Sequence, residues 1–159
     1  MVSLNITSMF KNTVDTQKIQ DKVQRMKTKI LVGSPSGLEH AGKNGEVTEA
    51  AELAKQLYFG TAEIPARPFL TDAIEKNKDE IADALKKEAK REMDGGQANW
   101  AKVGSLAVGK IQEFVRGDYY RETIPNSPRT IEEKGSDKPL IDTSNLINAT
   151  DYIVKGEND

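Results

Sequence analysis

The chain has 159 residues, of which 36% are hydrophobic, 6% aromatic and 30% charged. This length predicts one domain with a single modest core. The low apolar share predicts that long segments lie outside that core, either as solvated arms or as surfaces covered by another subunit. The formal net charge of −2 disfavours sequence-independent binding to nucleic acid. Because the sequence contains no cysteine, disulfides and thiolate chemistry within the chain are excluded.

The sequence gives no indication of membrane insertion. No window approaches the ~20 consecutive apolar residues that a bilayer-spanning helix needs. Residues 1–10 lack the basic segment and apolar run of a signal peptide. We therefore expect a soluble protein that is made in the cytoplasm.

The N-terminal part predicts a strand followed by a helix. Residues 2–6 alternate between apolar and polar side chains, the pattern of a short half-buried strand whose edge pairs in cis or in trans. The segment Asp15–Lys27 carries apolar residues at spacings of four and three, which predicts a helix with a narrow apolar stripe. We interpret residues 1–28 as this strand with its helix or arm. Residues 29–155 then form a single domain.

The first part of that domain predicts a strand, a loop and a helix. Lys29–Gly33 contains a continuous apolar run that ends at glycine, as in a buried strand. Residues 33–47 are rich in glycine and contain proline, which predicts one long loop. Thr48 is a candidate N-cap for a helix that runs to about Phe59 and is ended by Gly60.

Two longer helices follow. The first and longest is predicted from Pro68 to about Met93, because its apolar residues share one side. Asn99 is expected to cap the second, which Gly117 ends. This second helix contains Gly104 and Gly109. Each costs about 1 kcal/mol relative to alanine, which predicts close approach of another backbone.

The C-terminal part predicts short elements. Ser127 and Pro128 begin a helical turn that Gly135 ends. A further turn is expected around residues 146–147, and Ala149–Lys155 has the composition of a strand. Residues 156–159 are expected to fray. The resulting fold class is α+β, with a small mixed or antiparallel sheet of a few short strands packed against two main helices, and with extended loops and arms.

Candidate catalytic groups are scarce. His40 is the only histidine, and it falls in the predicted loop, where a mobile imidazole is poorly suited to act as a base. The glycines after residue 32 lack the lysine of a phosphate-binding loop. Neighbouring carboxylates such as Glu132 and Glu133 lie in charge-rich stretches without the apolar surroundings that raise a pKa. The sequence therefore predicts no enzyme, no catalytic residue, no cofactor and no metal.

Two side-chain groups leave alternatives open. The basic cluster near the end of the longest predicted helix is interpreted as a solvated face that complements the helix dipole, with phosphate contact as the alternative. It consists of Lys86, Lys87, Lys90 and Arg91.

The aromatic residues Tyr58, Phe69, Trp100 and Phe114 fall on apolar helix faces and are predicted to lie in the core. Tyr119 and Tyr120 follow the predicted helix end and are either interface anchors or packing residues.

The segment Ile64–Leu70 carries two prolines around Arg67, which fix an extended backbone before Phe69 enters the core. Together with Phe59-Gly60-Thr61 before it, this segment resembles a motif of the phage virion-morphogenesis and tail-completion family of Mu-like and lambdoid phages. Further motifs follow in the order that this family has. They are Val103-Gly104 with Ile111, Ser127-Pro128-Arg129-Thr130-Ile131 before Lys134-Gly135, and Lys138-Pro139-Leu140-Ile141-Asp142-Thr143 before Leu146.

The resemblance implies a structural role in the virion. Subunits of this kind form a ring, typically sixfold, that caps the tail tube at the head-tail joint and connects the tail to the head. The implied partners are further copies of the chain, the tail tube protein and a connector or stopper protein. The mildly acidic net charge would in addition let DNA pass through a central channel by like-charge repulsion. Alternatives are a head-side connector, a stopper or a minor tail protein, and more remotely a small cytoplasmic DNA-binding regulator.

The resemblance and the residue patterns together give eight candidate interface residues. They are Pro65, Arg67, Pro68, Phe69, Tyr119, Tyr120, Asp142 and Thr143.

Overall fold

The computed structural model describes residues 2–5, 28–34, 39–41, 47–141 and 145–156. The strands in this part of the chain are β1 (Val2–Asn5), β2 (Lys29–Gly33), β3 (Glu39–Ala41), β4 (Val47–Glu49) and β5 (Asp151–Lys155). The helices are α1 (Ala50–Phe59), α2 (Phe69–Lys76), α3 (Lys78–Met93), α4 (Trp100–Arg116), α5 (Tyr119–Thr123), α6 (Pro128–Lys134) and α7 (Asn145–Asn148). The protein is α+β, which confirms the predicted fold class.

The main sheet has three antiparallel strands in the order β1-β2-β5. Ile30 and Val32 of β2 are both fully buried, because side chains two residues apart share one face of a strand. Val154 and Tyr152 of β5 stand opposite them in the register. The predicted strands at Lys29–Gly33 and within Ala149–Lys155 are therefore confirmed. The N-terminal strand β1 pairs in cis, with β2 of the same chain.

Helix α4 packs on this sheet, and helices α2 and α3 pack on α4. The buried face of α4 repeats with helical periodicity, as the sequence predicts. Phe69 and Leu70 of α2 and Ile81 and Leu85 of α3 complete the core on the other side of α4. The buried apolar residues of α4 are Val103, Ala107, Ile111, Phe114 and Val115.

The structure corrects the long loop predicted at residues 33–47. Glu39–Ala41 forms strand β3, which pairs with β4 in a separate two-stranded antiparallel sheet. His40 pairs with Thr48 across this hairpin, so both residues lie in strands. Thr48 is therefore not the helix cap that the sequence predicts, and α1 begins at Ala50.

The helix predicted from Pro68 to Met93 is also wrong in its extent, because it is broken at Asn77. Asn77 has φ −109° and ψ 19°, outside helical geometry, and its side-chain Nδ2 donates to the Ala73 carbonyl at 2.8 Å. Asparagine side chains compete for backbone hydrogen bonds in this way, which favours a helix end. Helix α4, with 17 residues, is therefore longer than α3, with 16.

Some predictions concern residues that the structure does not describe. The predicted helix at Asp15–Lys27 lies in a part of the chain that is not described, and so do residues 157–159 of the predicted frayed tail. Helix α5, in contrast, is described and was not predicted. Its five residues follow the polar Gly117-Asp118 pair, where the sequence carries no apolar periodicity.

Candidate interaction site

The turn between α1 and α2 is fixed by backbone hydrogen bonds at both ends. The N–H of Arg67 donates to the Leu57 carbonyl at 2.8 Å, and the N–H of Thr61 donates to the Ile64 carbonyl at 2.8 Å. Gly60, at φ +76°, makes the tight exit from α1 possible. A Cβ at this position would lie 2.8 Å from the Ala66 nitrogen, so only glycine fits here.

The side chains of this turn point in different directions. Phe69 is 2% exposed and enters the core, as the sequence predicts. Pro65 is exposed and Pro68 is half-buried, so these two residues shape the backbone and border the surface. The turn therefore joins the core, through Phe69, to an exposed surface at Pro65.

Arg67 points into the protein and is only 4% exposed. Its Nε donates to the Ile124 carbonyl at 3.0 Å, and its Nη2 donates to the Pro125 carbonyl at 3.2 Å and to Oδ1 of Asn126 at 3.3 Å. Burial lowers the pKa of the guanidinium, but arginine stays protonated in proteins. A buried cation thus holds a segment almost sixty residues further along the chain.

Tyr119 and Tyr120 have different surroundings, which separates two residues that the sequence treats as a pair. Tyr120 is 4% exposed, and its hydroxyl donates to Oδ2 of Asp72 at 2.5 Å. Burial and this hydrogen bond raise the pKa of Tyr120, while the nearby charge of Arg67 opposes the rise. Tyr119 is 41% exposed, and its ring lies 5.0 Å from that of Phe114. Tyr120 is thus a packing residue of the core, whereas the side chain of Tyr119 is exposed enough to contact a partner.

The structure therefore brings Arg67 and Tyr120 close together beneath the surface, and it adds Asp72 to them. Sequence reasoning missed Asp72 because its spacing fits an ordinary exposed helix position. It also missed the three oxygen acceptors of Arg67, since two are backbone carbonyls, which carry no sequence signal, and the third is the side chain of the distant Asn126. Asp142 and Thr143 lie outside the described residues.

Exposed apolar side chains mark a second feature of this region. The large hydrophobic residues exposed in the described part of the chain are Phe59 at 72%, Ile153 at 42% and Tyr119 at 41%. Phe59 lies at a cavity of about 380 Å³ that Tyr58, Ala54 and Leu70 also line. Tyr119 lies at a separate cavity of about 240 Å³, together with Phe114 and Lys76. Exposed aromatic residues beside pockets are typical of protein–protein contacts.

The basic cluster is largely paired with acidic neighbours. Lys86 contacts Asp83 at 3.3 Å, Lys90 contacts Asp94 at 2.8 Å, and Arg91 lies 4.0 Å from Glu88. Glu88 is itself buried and accepts a hydrogen bond from the N–H of Asn99 at 2.8 Å. These pairs favour the interpretation of a solvated helix face over a phosphate-binding site.

The described residues contain no group of three or more histidine, cysteine, aspartate or glutamate side chains placed to hold a metal ion. None of the helices described is both long and apolar enough to cross a membrane. No protein-family model, curated protein or solved structure matches this chain. The virion hypothesis therefore depends on the motifs of the sequence and on the surface described above.

Proposed function

We propose that this chain is a structural phage protein, a tail-completion subunit that assembles into a ring at the head-tail joint and does not catalyse a reaction. The ring caps the tail tube and connects it to the head, so the mature location of the protein is the virion neck. The observation that carries the proposal is the exposed aromatic Phe59 beside the turn that contains the family-like motif.

The distribution of exposed aromatic residues supports assembly. A ring requires that each subunit offer two different surfaces, because head-to-tail contacts join unlike patches. Phe59 and Tyr119 belong to different helices, and the residues that line their two cavities do not overlap. Such a pair of surfaces is compatible with a closed ring of identical subunits.

The charge distribution supports passage of DNA without binding. The chain carries 23 basic and 25 acidic residues, and three of the four residues in its basic cluster have acidic neighbours. A slightly acidic subunit does not attract the phosphate backbone. A DNA-binding regulator would instead need unpaired basic residues along one face.

The proposal is tested by the assembly state of the purified chain. Mass photometry and negative-stain microscopy are performed on the protein alone and after addition of purified tail tube. We expect rings, or rings that appear at the tube end, and we expect Phe59→Asp to abolish them. The control Ser105→Asp places the same charge at an exposed polar position of α4 and should assemble normally.

A strictly monomeric chain that does not bind tail tubes would contradict the proposal. Binding to isolated portal or connector complexes, with no affinity for tubes, would instead support the head-side alternative. DNA affinity that falls steeply with salt would support the regulator.

A further inference from the structure

The segment between α5 and Leu140 has no buried residue before Pro139. Helix α6 contributes no buried side chain. The two ends of the segment differ from its middle, because Ile124 packs against the core while Pro139 and Leu140 are buried. Residues 125–138 therefore form a strap of exposed and half-buried residues between two fixed ends.

Arg67 holds the first end of the strap. Its guanidinium donates to the oxygens of three consecutive residues, Ile124, Pro125 and Asn126. The backbone of Arg67 is fixed in turn, since its N–H donates to the Leu57 carbonyl and its carbonyl accepts from Phe69. Hydrogen bonds to a charged donor are among the stronger ones in proteins, and a buried cation without acceptors is costly.

The second end is held by a strained residue. Leu140 adopts φ +62°, a left-handed conformation that non-glycine residues rarely occupy, and its side chain is 6% exposed. The polar contacts that Asp137 and Lys138 make with Arg116, Asp118 and Arg121 are long and exposed, at 3.4 to 3.9 Å. Asn126 Nδ2 lies 3.5 Å from the Asp137 carbonyl, and the Arg121 and Asp137 side chains approach to 3.8 Å. Contacts of this kind contribute little to stability.

We propose that residues 125–138 unfold locally while the helical core stays folded, and that the hydrogen bonds of Arg67 keep the strap in its folded position. The first end is held by the hydrogen bonds of one side chain and by the half-buried Ile124, whereas α3 and α4 are held by buried apolar packing. Loss of the Arg67 contacts therefore releases the strap before the core. This inference does not depend on the proposed assembly into rings.

Hydrogen exchange measured by mass spectrometry on the full chain tests the proposal. In the wild type, amides of α6 should exchange at least about 10-fold faster than those of α4. Arg67→Met, which keeps an unbranched apolar side chain but removes all the donors, should accelerate exchange in residues 124–135 by about 10-fold or more. Exchange in α3 and α4 should be unchanged.

Two further variants sharpen the experiment. Arg67→Lys should give an intermediate acceleration, because one ammonium group cannot match the planar fork of donors. Arg129→Met is the control, since Arg129 lies in the strap but is exposed and contacts Glu133. It should leave exchange at residues 124–126 unchanged.

Three results would overturn the inference. In the first, the wild-type strap exchanges as slowly as α4, so that it does not open separately. In the second, Arg67→Met accelerates α3 and α4 as much as the strap, so that Arg67 supports the whole fold. In the third, exchange in the strap does not change. If Arg67→Met does not fold, Asn126→Ala removes one acceptor and no charge, and the same local acceleration, about threefold, decides the question.

Discussion

Gly104 and Gly109 lie in the same helix but have different surroundings. A Cβ on Gly104 would lie 2.3 Å from Cδ2 of Tyr152, so the ring of Tyr152 in β5 fills the space beside this glycine. Nothing lies within 4 Å of a Cβ on Gly109. The sequence predicts close approach of a backbone at both positions, whereas the structure has a side-chain ring at Gly104 and open space at Gly109. Gly104 is thus required by packing of the helix on the sheet.

Alanine substitutions should therefore change stability in opposite directions. Gly104→Ala should lower the free energy of unfolding by about 2 kcal/mol, because the added methyl group displaces the Tyr152 ring. Gly109→Ala should raise it by about 1 kcal/mol, because alanine favours the helix and meets no neighbour. Urea unfolding followed by circular dichroism measures both, and equal effects at the two positions would contradict the assignment.

Tyr120 links stability to alkaline pH. Its pKa is raised by burial and by the hydrogen bond to Asp72. The unfolded chain therefore releases this proton at lower pH than the folded protein does. The stabilising contribution is complete below about pH 10, the ordinary pKa of tyrosine, and is lost as the pH rises beyond it.

Tyr120→Phe tests this linkage. At neutral pH the variant should lose about 1 kcal/mol, because Asp72 loses its donor. Above pH 10 its free energy of unfolding should fall less steeply than that of the wild type. Tyr119→Phe, the control at the exposed neighbour, keeps Tyr120 and should show the full slope. An identical slope in wild type and Tyr120→Phe would refute the assignment.

At the scale of elements, the ends of α4 and α6 follow from local signals. The Oδ1 atom of Asn99 accepts from the N–H of Lys102 at 3.0 Å. The side chain of Ser127 caps α6 in the same way, and Gly135 ends that helix at φ +70°. These residues act on backbone groups within three or four positions, so the sequence is sufficient to locate both helices.

Asn99→Ala should lower the free energy of unfolding by about 1 kcal/mol, because the first turn of α4 loses its side-chain acceptor. Asn99→Ser keeps an acceptor and should remain within about 0.5 kcal/mol of the wild type. Both variants keep the backbone N–H that donates to Glu88. Denaturant unfolding with a constant m-value provides the measurement, and equal losses in the two variants would show that the cap is not the cause.

The elements that were not predicted from the sequence have weaker local sequence patterns. The β3-β4 hairpin is built from three-residue strands, too short for alternation to be recognised. The break at Asn77 interrupts an apolar pattern that continues on both sides, from Ile74 to Ile81. Periodicity predicts which face is buried, but it does not determine whether one helix or two present it.

In the candidate site, too, local features were predictable from the sequence and long-range contacts were not. The two prolines and Phe69 indicate a rigid turn that enters the core, and the structure has one there. The acceptors of Arg67 lie 57 to 59 residues away along the chain, so their role emerges only from the folded topology. Local backbone constraints were therefore predictable, whereas the destination of the arginine side chain was not.

At the scale of the whole molecule, the proposed ring and a two-fold dimer would use the two exposed aromatic surfaces differently. A two-fold dimer joins identical patches, so one defective patch abolishes it. In the proposed ring, the Phe59 surface of one copy would meet a different surface of the next, and the Tyr119 surface is the candidate. Each defective copy then keeps one functional surface.

A mixing experiment distinguishes these geometries. Phe59→Asp and Tyr119→Asp should each be monomeric alone, since each lacks one side of every contact. Mixed in equal amounts, they should form a dimer and nothing larger, because one wild-type surface remains on each and the dimer has no functional end. Analytical ultracentrifugation measures the result. Self-association of Tyr119→Asp alone would indicate that Phe59 meets Phe59, and the contact would then be two-fold and unable to close a sixfold ring by itself.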